Sequence, residues 1–166
     1  SSIQKVAVIG LGYVGLPLAL GFYDGGLQVW GVETDNEKVK KLQSGISYLD
    51  DVPSHRLKEA LETNRFSITD EYEILEQSDA VCICVPTPLN KVQEPDLSFI
   101  VQAVDAIEPH LHKGMLVVLE STTYPGTTEE VVLPRLAKRG LRVGEDFYLS
   151  FSPERYDPGN KQFNIS

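Results

Sequence analysis

An apolar run, Lys5-Val6-Ala7-Val8-Ile9, leads straight into Gly10-Leu11-Gly12-Tyr13-Val14-Gly15, and no other stretch of the chain limits its fold so tightly. The run is nearly continuous in small and β-branched apolar residues, as a strand covered on both faces must be. Leu16-Pro17-Leu18-Ala19-Leu20-Gly21-Phe22 reads as a helix, with Pro17 tolerated in its first turn and Gly25-Gly26 at its end. A glycine triplet at this spacing is weak by itself. Between a strand and a helix, with an acid, Glu33, 18 residues beyond Gly15 at the end of the next apolar run, it becomes a dinucleotide-binding fingerprint. Gly10 permits the tight turn, Gly12 lets main chain approach a diphosphate, and Gly15 lets helix and strand pack closely. Helix-start N–H groups around Tyr13 and Val14 face the phosphates. Glu33 accepts from the ribose hydroxyls and repels a 2′-phosphate, so NAD is expected over NADP. Lys38 reads equally well as a cation beside the adenosine ribose or as a solvated one. Asp35 reads as a helix cap.

The same alternation continues to the end. Strands are expected at residues 27–32, 65–68, 79–85, 115–119 and 147–151. Helices are expected at 36–42, 54–63, 95–108 and 128–139, the last with Thr127 and Glu130 as a capping box. Strands separated by helical crossovers imply an α/β fold, a Rossmann-like doubly wound, mainly parallel six-stranded sheet of order 3-2-1-4-5-6.

Charge and cysteine content narrow the partners. Lys and Arg number 15 against 24 Asp and Glu, a net charge of −9, which argues against nucleic acid and anionic membranes as partners. No apolar run approaches the ~20 residues of a membrane span. The chain enters its first strand without a signal-peptide pattern, so a cytoplasmic protein is expected. Cys82 and Cys84, at i and i+2 of one strand, face the same side and read as buried small apolar residues, reduced and free of metal. His55, His110 and His112 read as surface residues without an evident carboxylate partner.

In such a sheet, ligands bind where strands end. The exits are Val85-Pro86-Thr87-Pro88, Glu120-Ser121-Thr122-Thr123 and Ser152-Pro153-Glu154-Arg155. The hydroxyls of Thr87, Ser121 and Thr122 can touch a nicotinamide ribose or serve only local turns. A carboxylate such as Glu154 can serve in proton transfer near a nicotinamide or lie at the surface.

Taken together, residues 8–19 (Val-Ile-Gly-Leu-Gly-Tyr-Val-Gly-Leu-Pro-Leu-Ala), Val85 to Pro88, Glu120 to Thr128 and Ser152 to Arg155 resemble the UDP-glucose/GDP-mannose dehydrogenase family over essentially the whole chain. Pro86 to Asn90 with Glu94-Pro95-Asp96, and Ser152 to Arg155 followed by Asp157-Pro158-Gly159, resemble most the branch acting on UDP-N-acetylglucosamine. The resemblance implies an NAD-dependent, four-electron oxidation of a sugar C6 hydroxyl to a carboxylate, with a Cys thiolate trapping the aldehyde. It places the phosphate loop on Gly10, Gly12, Tyr13, Val14 and Gly15, and the ribose acid on Glu33. It places the adenosine-side cation on Lys38 and the NAD contacts on Val85, Thr87, Ser121 and Thr122. It makes Glu154 the active-site glutamate and sets Arg155 and Tyr156 near the mouth for the nucleotide-sugar substrate. Pro158 stands where the UDP-glucose branch tends to carry a second Glu. The family's nucleophilic Cys and catalytic Lys match nothing in residues 1–166, which implies an NAD-binding Rossmann domain truncated from its central helical and substrate-binding domains, inactive alone, in an enzyme expected to be a homo-oligomer. The open alternatives are a relative of the β-hydroxyacid dehydrogenases and a stand-alone NAD-sensing module.

Overall fold

The structure, a computed structural model, describes residues 2–121 and 125–153. Its strands are β1 (Lys5–Ile9), β2 (Gln28–Val32), β3 (Phe66–Thr69), β4 (Ala80–Ile83), β5 (Leu116–Ser121) and β6 (Tyr148–Pro153). Its helices are α1 (Gly15–Asp24), α2 (Asn36–Gln43), α3 (Ser54–Leu61), α4 (Ser98–Ile107) and α5 (Pro125–Leu136). All six strands are parallel in the order β3-β2-β1-β4-β5-β6. The doubly wound sheet expected from the sequence is therefore present, and its order reverses between β1 and β4.

Alternation along each central strand divides the core in two. Val6 and Val8 of β1 and Cys82 of β4 pack with Leu16, Leu20, Leu42 and Leu57 on the face covered by α1, α2 and α3. Ala7, Ile9, Val81 and Ile83 point the other way, into Val104, Ile107, Val132 and Phe147 beneath α4 and α5. Both faces being covered is why β1 and β4 are almost wholly apolar, whereas the edge strand β3 alternates buried with exposed residues. Neither cysteine is in a disulfide, and both are buried. Burial first, then the nearby Glu120 carboxylate, pushes the Cys82 thiol up to about 12, so it stays protonated and unreactive.

Several boundaries differ from those expected. Pro95 pairs in a short bridge with Leu89, and the Asp96 carboxylate accepts from the Ser98 N–H at 2.9 Å, so α4 begins at Ser98 rather than at Pro95. Helix α5 begins at Pro125, so Thr127 lies inside its first turn and cannot be the N-cap of a capping box. A 3₁₀ turn over Tyr72–Gln77 that the sequence pattern did not reveal fills the crossover from β3 to β4. His110 and His112 are half-buried rather than free surface residues. The His110 Nδ1 lies 2.9 Å from Glu76 Oε2, and the His112 Nε2 lies 2.7 Å from the Ser78 carbonyl. His55 is exposed on α3, as expected.

Asp79 ties the sheet's amino-terminal edge together. Its Oδ2 accepts from the Gln4 and Lys5 N–H groups, each at 2.9 Å, and these bonds hold its carboxyl below the usual carboxylate range. A folded-state pKa below the unfolded value contributes stability that is present above the unfolded pKa of about 3.9 and lost as pH falls through the lower folded value. Asp79→Asn is therefore expected to flatten the acid limb of a melting-temperature profile below about pH 4. An acid limb identical to that of the parent chain would rule Asp79 out as a contributor.

Candidate functional site

A cleft of about 380 Å³ opens at the carboxyl ends of the strands, over the point where their order reverses. The glycine-rich turn forms its floor. Gly10 has a φ of +90°, and a Cβ there would stand 3.0 Å from the Cys84 carbonyl carbon and oxygen. A Cβ on Gly15 would overlap the Gly10 carbonyl oxygen. Internal packing thus requires both glycines. Gly12 differs, since a Cβ there would meet nothing within 4 Å, and its main chain lines the cleft. Nothing inside the protein demands glycine at that position. The space a side chain would fill is the space a diphosphate needs to reach the main chain.

Helix α1 starts at Gly15 with no side chain capping it and no acid in its first turn. Its amino end is left to an external acceptor, and the helix dipole favours an anion there. This local field lets a chain with a net charge of −9 hold a polyanion.

Glu33 stands at the end of β2, half-buried, and lines the cleft. Its Oε1 accepts from the Leu11 N–H at 3.2 Å, and its Oε2 accepts from the N–H groups of Thr34 at 2.9 Å and Asp35 at 3.1 Å. The carboxylate is thereby held against the glycine turn, with acceptor capacity left for a diol. Asp35 caps α2 as expected, accepting from the Glu37 and Lys38 N–H groups. That cap sets Lys38 at the cleft, exposed, with its ammonium 5.6 Å from the centre of the Tyr48 ring.

The structure brings together Gly10, Gly12, Tyr13, Val14, Glu33, Lys38, Val85 and Thr87 around one cleft. Tyr13 is 79% exposed at the rim, a large aromatic left in solvent beside the opening. Gly15 lies behind the turn as the first residue of α1. Ser121 is the last residue of β5. Thr122, Glu154, Arg155 and Tyr156 lie outside the described residues.

Two site residues were not legible as such in the sequence. Glu120, next to last in β5, lines the cleft while buried. Its signal was a charge closing an otherwise apolar strand at the sheet's carboxyl end. Tyr48 carried no signal at all. It lies in the segment between α2 and α3, yet its hydroxyl donates to the Leu11 carbonyl, 37 residues away in sequence. Burial, then the charges of Glu33 and Asp35, raise its pKa well above the ordinary tyrosine value, so the hydroxyl remains a donor at every working pH. Tyr48→Phe is expected to lower stability by about 1 kcal/mol through loss of this bond. Denaturant unfolding measures the difference, and an unchanged midpoint would mean that Tyr48 does not brace the turn.

Among the described residues no helix is long and apolar enough to cross a membrane, and no group of three or more His, Cys, Asp or Glu is placed to hold a metal ion.

Comparison with known proteins accords with this geometry. The profile of the UDP-glucose/GDP-mannose dehydrogenase family, NAD binding domain, matches residues 4–165. The UDP-N-acetyl-D-glucosamine 6-dehydrogenase of Pseudomonas aeruginosa is 42% identical over 163 residues, which is 98% of this chain and 38% of that protein. The UDP-N-acetyl-D-mannosamine dehydrogenase of Pyrococcus horikoshii is 40% identical over 157 residues, 94% of this chain and 37% of that protein. The crystal structure of the NDP-N-acetyl-D-galactosaminuronic acid dehydrogenase of Methanosarcina mazei Go1 superposes with a TM-score of 0.86 at 33% identity, over 95% of this chain and 36% of that one. The chain thus spans less than two-fifths of the length of the relatives it matches. The reversed strand order, the open space above Gly12, the anchored acid at the end of β2 and a family match along nearly the whole chain agree, and the chain belongs to the UDP-glucose/GDP-mannose dehydrogenase family as its NAD-binding domain.

Proposed function

We propose that this chain provides the cofactor cleft of a cytoplasmic, homo-oligomeric nucleotide-sugar 6-dehydrogenase that oxidises the C6 hydroxyl of a UDP-sugar, UDP-N-acetylglucosamine or UDP-glucose, to the carboxylate with two NAD⁺. The observation that carries the reading is the cleft itself, where the bare main chain at Gly12, the Glu33 carboxylate and Thr87 meet across the point of strand reversal. The names of the two relatives support an N-acetylated sugar.

NAD⁺ supplies the hydride acceptor. Main-chain N–H groups at Gly12, Tyr13 and Val14 hold the diphosphate, drawn by the amino end of α1. Glu33 accepts from the adenosine ribose hydroxyls, and Lys38 lies alongside. Val85, Thr87, Ser121 and Thr122 border the nicotinamide ribose. Glu154 positions or deprotonates the hydrolytic water, with Arg155 and Tyr156 toward the sugar nucleotide. The thiolate nucleophile and catalytic Lys belong to further domains, which the share of the relatives left unmatched has room to hold.

Titration calorimetry with NAD⁺ and NADP⁺ tests the cofactor assignment. NAD⁺ is expected to bind at least about tenfold more tightly, because Glu33 and a 2′-phosphate repel at short range. NADP⁺ binding equal to or tighter than NAD⁺ would remove Glu33 from its role. The chain mixed with NAD⁺ and UDP-N-acetylglucosamine is expected to form no NADH.

A further inference from the structure

Among the described residues, Glu120 is the only buried charged side chain, 8% exposed. The pairing of β4 with β5 sets Cys82 against Val118 and Ile83 against Leu119, so Cys84 and Glu120 follow side by side, and both line the cleft. Along β5, Glu120 shares its face with Leu116 and Val118, the face packed beneath α1. Its burial places it inside the sheet's carboxyl edge rather than out in solvent.

The two ends of the cleft differ in what they can sense. Glu33 and Lys38 mark the β2 side, and Thr87 and Glu120 mark the side of β4 and β5. A dinucleotide laid across the reversal point, with its adenosine ribose on the β2 acid, puts its other nucleoside on the β4–β5 side. That other nucleoside is the half whose charge changes. The nicotinamide ring is cationic in NAD⁺ and becomes neutral when it gains a hydride, while the adenosine and diphosphate are the same in both forms. A carboxylate withdrawn from water interacts strongly with a cation placed beside it and little with a neutral ring.

We infer that Glu120 sets the oxidation-state preference of the cleft, its buried carboxylate favouring the cationic nicotinamide of NAD⁺ over the neutral ring of NADH. The inference rests on the reading of the cleft as an NAD⁺ site. It gives that reading a purpose, because an enzyme that reduces two NAD⁺ in succession must let the first NADH go before the second NAD⁺ can enter. A site that loses a charge attraction when hydride arrives releases the reduced form more readily.

The test is titration calorimetry of this chain and its Glu120→Gln variant with NAD⁺, NADH and ADP-ribose, the last being the dinucleotide without its nicotinamide. Glu120→Gln is expected to weaken NAD⁺ about fivefold or more, while NADH and ADP-ribose change less than about twofold. Glu120→Asp, which keeps the charge, is expected to retain most of the parent preference for NAD⁺ and so covers the case in which the Gln variant does not fold. An equal change in NAD⁺ and NADH, a matching loss of ADP-ribose affinity, or a Glu120→Asp chain without the preference would each overturn the inference. Failure of the parent chain to bind NAD⁺ at all would instead overturn the assignment of the cleft, and the inference with it.

Discussion

A Gly12→Val chain is expected to keep its melting temperature within roughly 2 °C while its affinity for NAD⁺ falls by about a hundredfold, some 2.7 kcal/mol. The argument is one of empty space. Gly12 does not have a positive φ, and a Cβ there meets no atom within 4 Å, so the folded chain has no reason of its own to exclude a side chain. The main chain at Gly12 lines the cleft, and the three added carbons would occupy the space through which a diphosphate reaches the N–H groups at the start of α1. Loss of glycine also narrows the unfolded ensemble slightly, which opposes any destabilisation. Calorimetric titration together with a thermal melt separates the two quantities. If NAD⁺ affinity survives, the diphosphate does not lie over Gly12. If the melting temperature falls sharply, Gly12 serves the fold after all.

Gly15→Ala is expected to act in the opposite way. The added methyl would overlap the Gly10 carbonyl oxygen, which is main chain, and would come within 3.3 Å of the Cys84 Cβ. A flexible side chain could move aside, but here the turn between β1 and α1 itself has to shift. Gly10 cannot yield easily, since its N–H donates to the Val32 carbonyl at 2.8 Å and any Cβ of its own would press on Cys84. The expected cost is about 3 kcal/mol, at the upper end for overpacking, which for a chain of this size lowers the melting temperature by roughly 6–12 °C. NAD⁺ binding should weaken as well, because the turn carries the N–H groups. A Gly15→Ala chain that melts with the parent would show that α1 can slide away from β1, and the close packing assigned to this glycine would be wrong. The contrast between two glycines three residues apart is the sharper test, since one answers to the ligand and the other to the fold.

The readings that succeeded were local ones. The β-branched runs that became β1, β2, β4 and β5 needed no partner to be recognised, because a strand covered on both faces has almost no polar alternative. The Asp35 cap and the glycine turn were equally local, each set by the conformation of a few neighbouring residues. Readings failed where two distant segments compete for the same residues. The local pattern starts a helix at Pro95, but the bridge of Pro95 to Leu89 holds it in a hairpin-like loop. His110 looked free of acids because Glu76 is 34 residues away, on a 3₁₀ turn with no periodic signal of its own.

The sequence by itself determined that residues 5–33 form a strand, a phosphate-type turn, a helix and a second strand ending in an acid. Hydrophobic period and glycine's access to positive φ act over a few residues and leave little else open there. Only the tertiary structure decided that Tyr48 braces the Leu11 carbonyl, that the Glu33 carboxylate is held by three main-chain donors, and that Glu120 closes the far end of the same cleft. Those relations depend on how the crossovers bring strand ends together. Packing over the whole sheet sets that arrangement, and no local pattern records it.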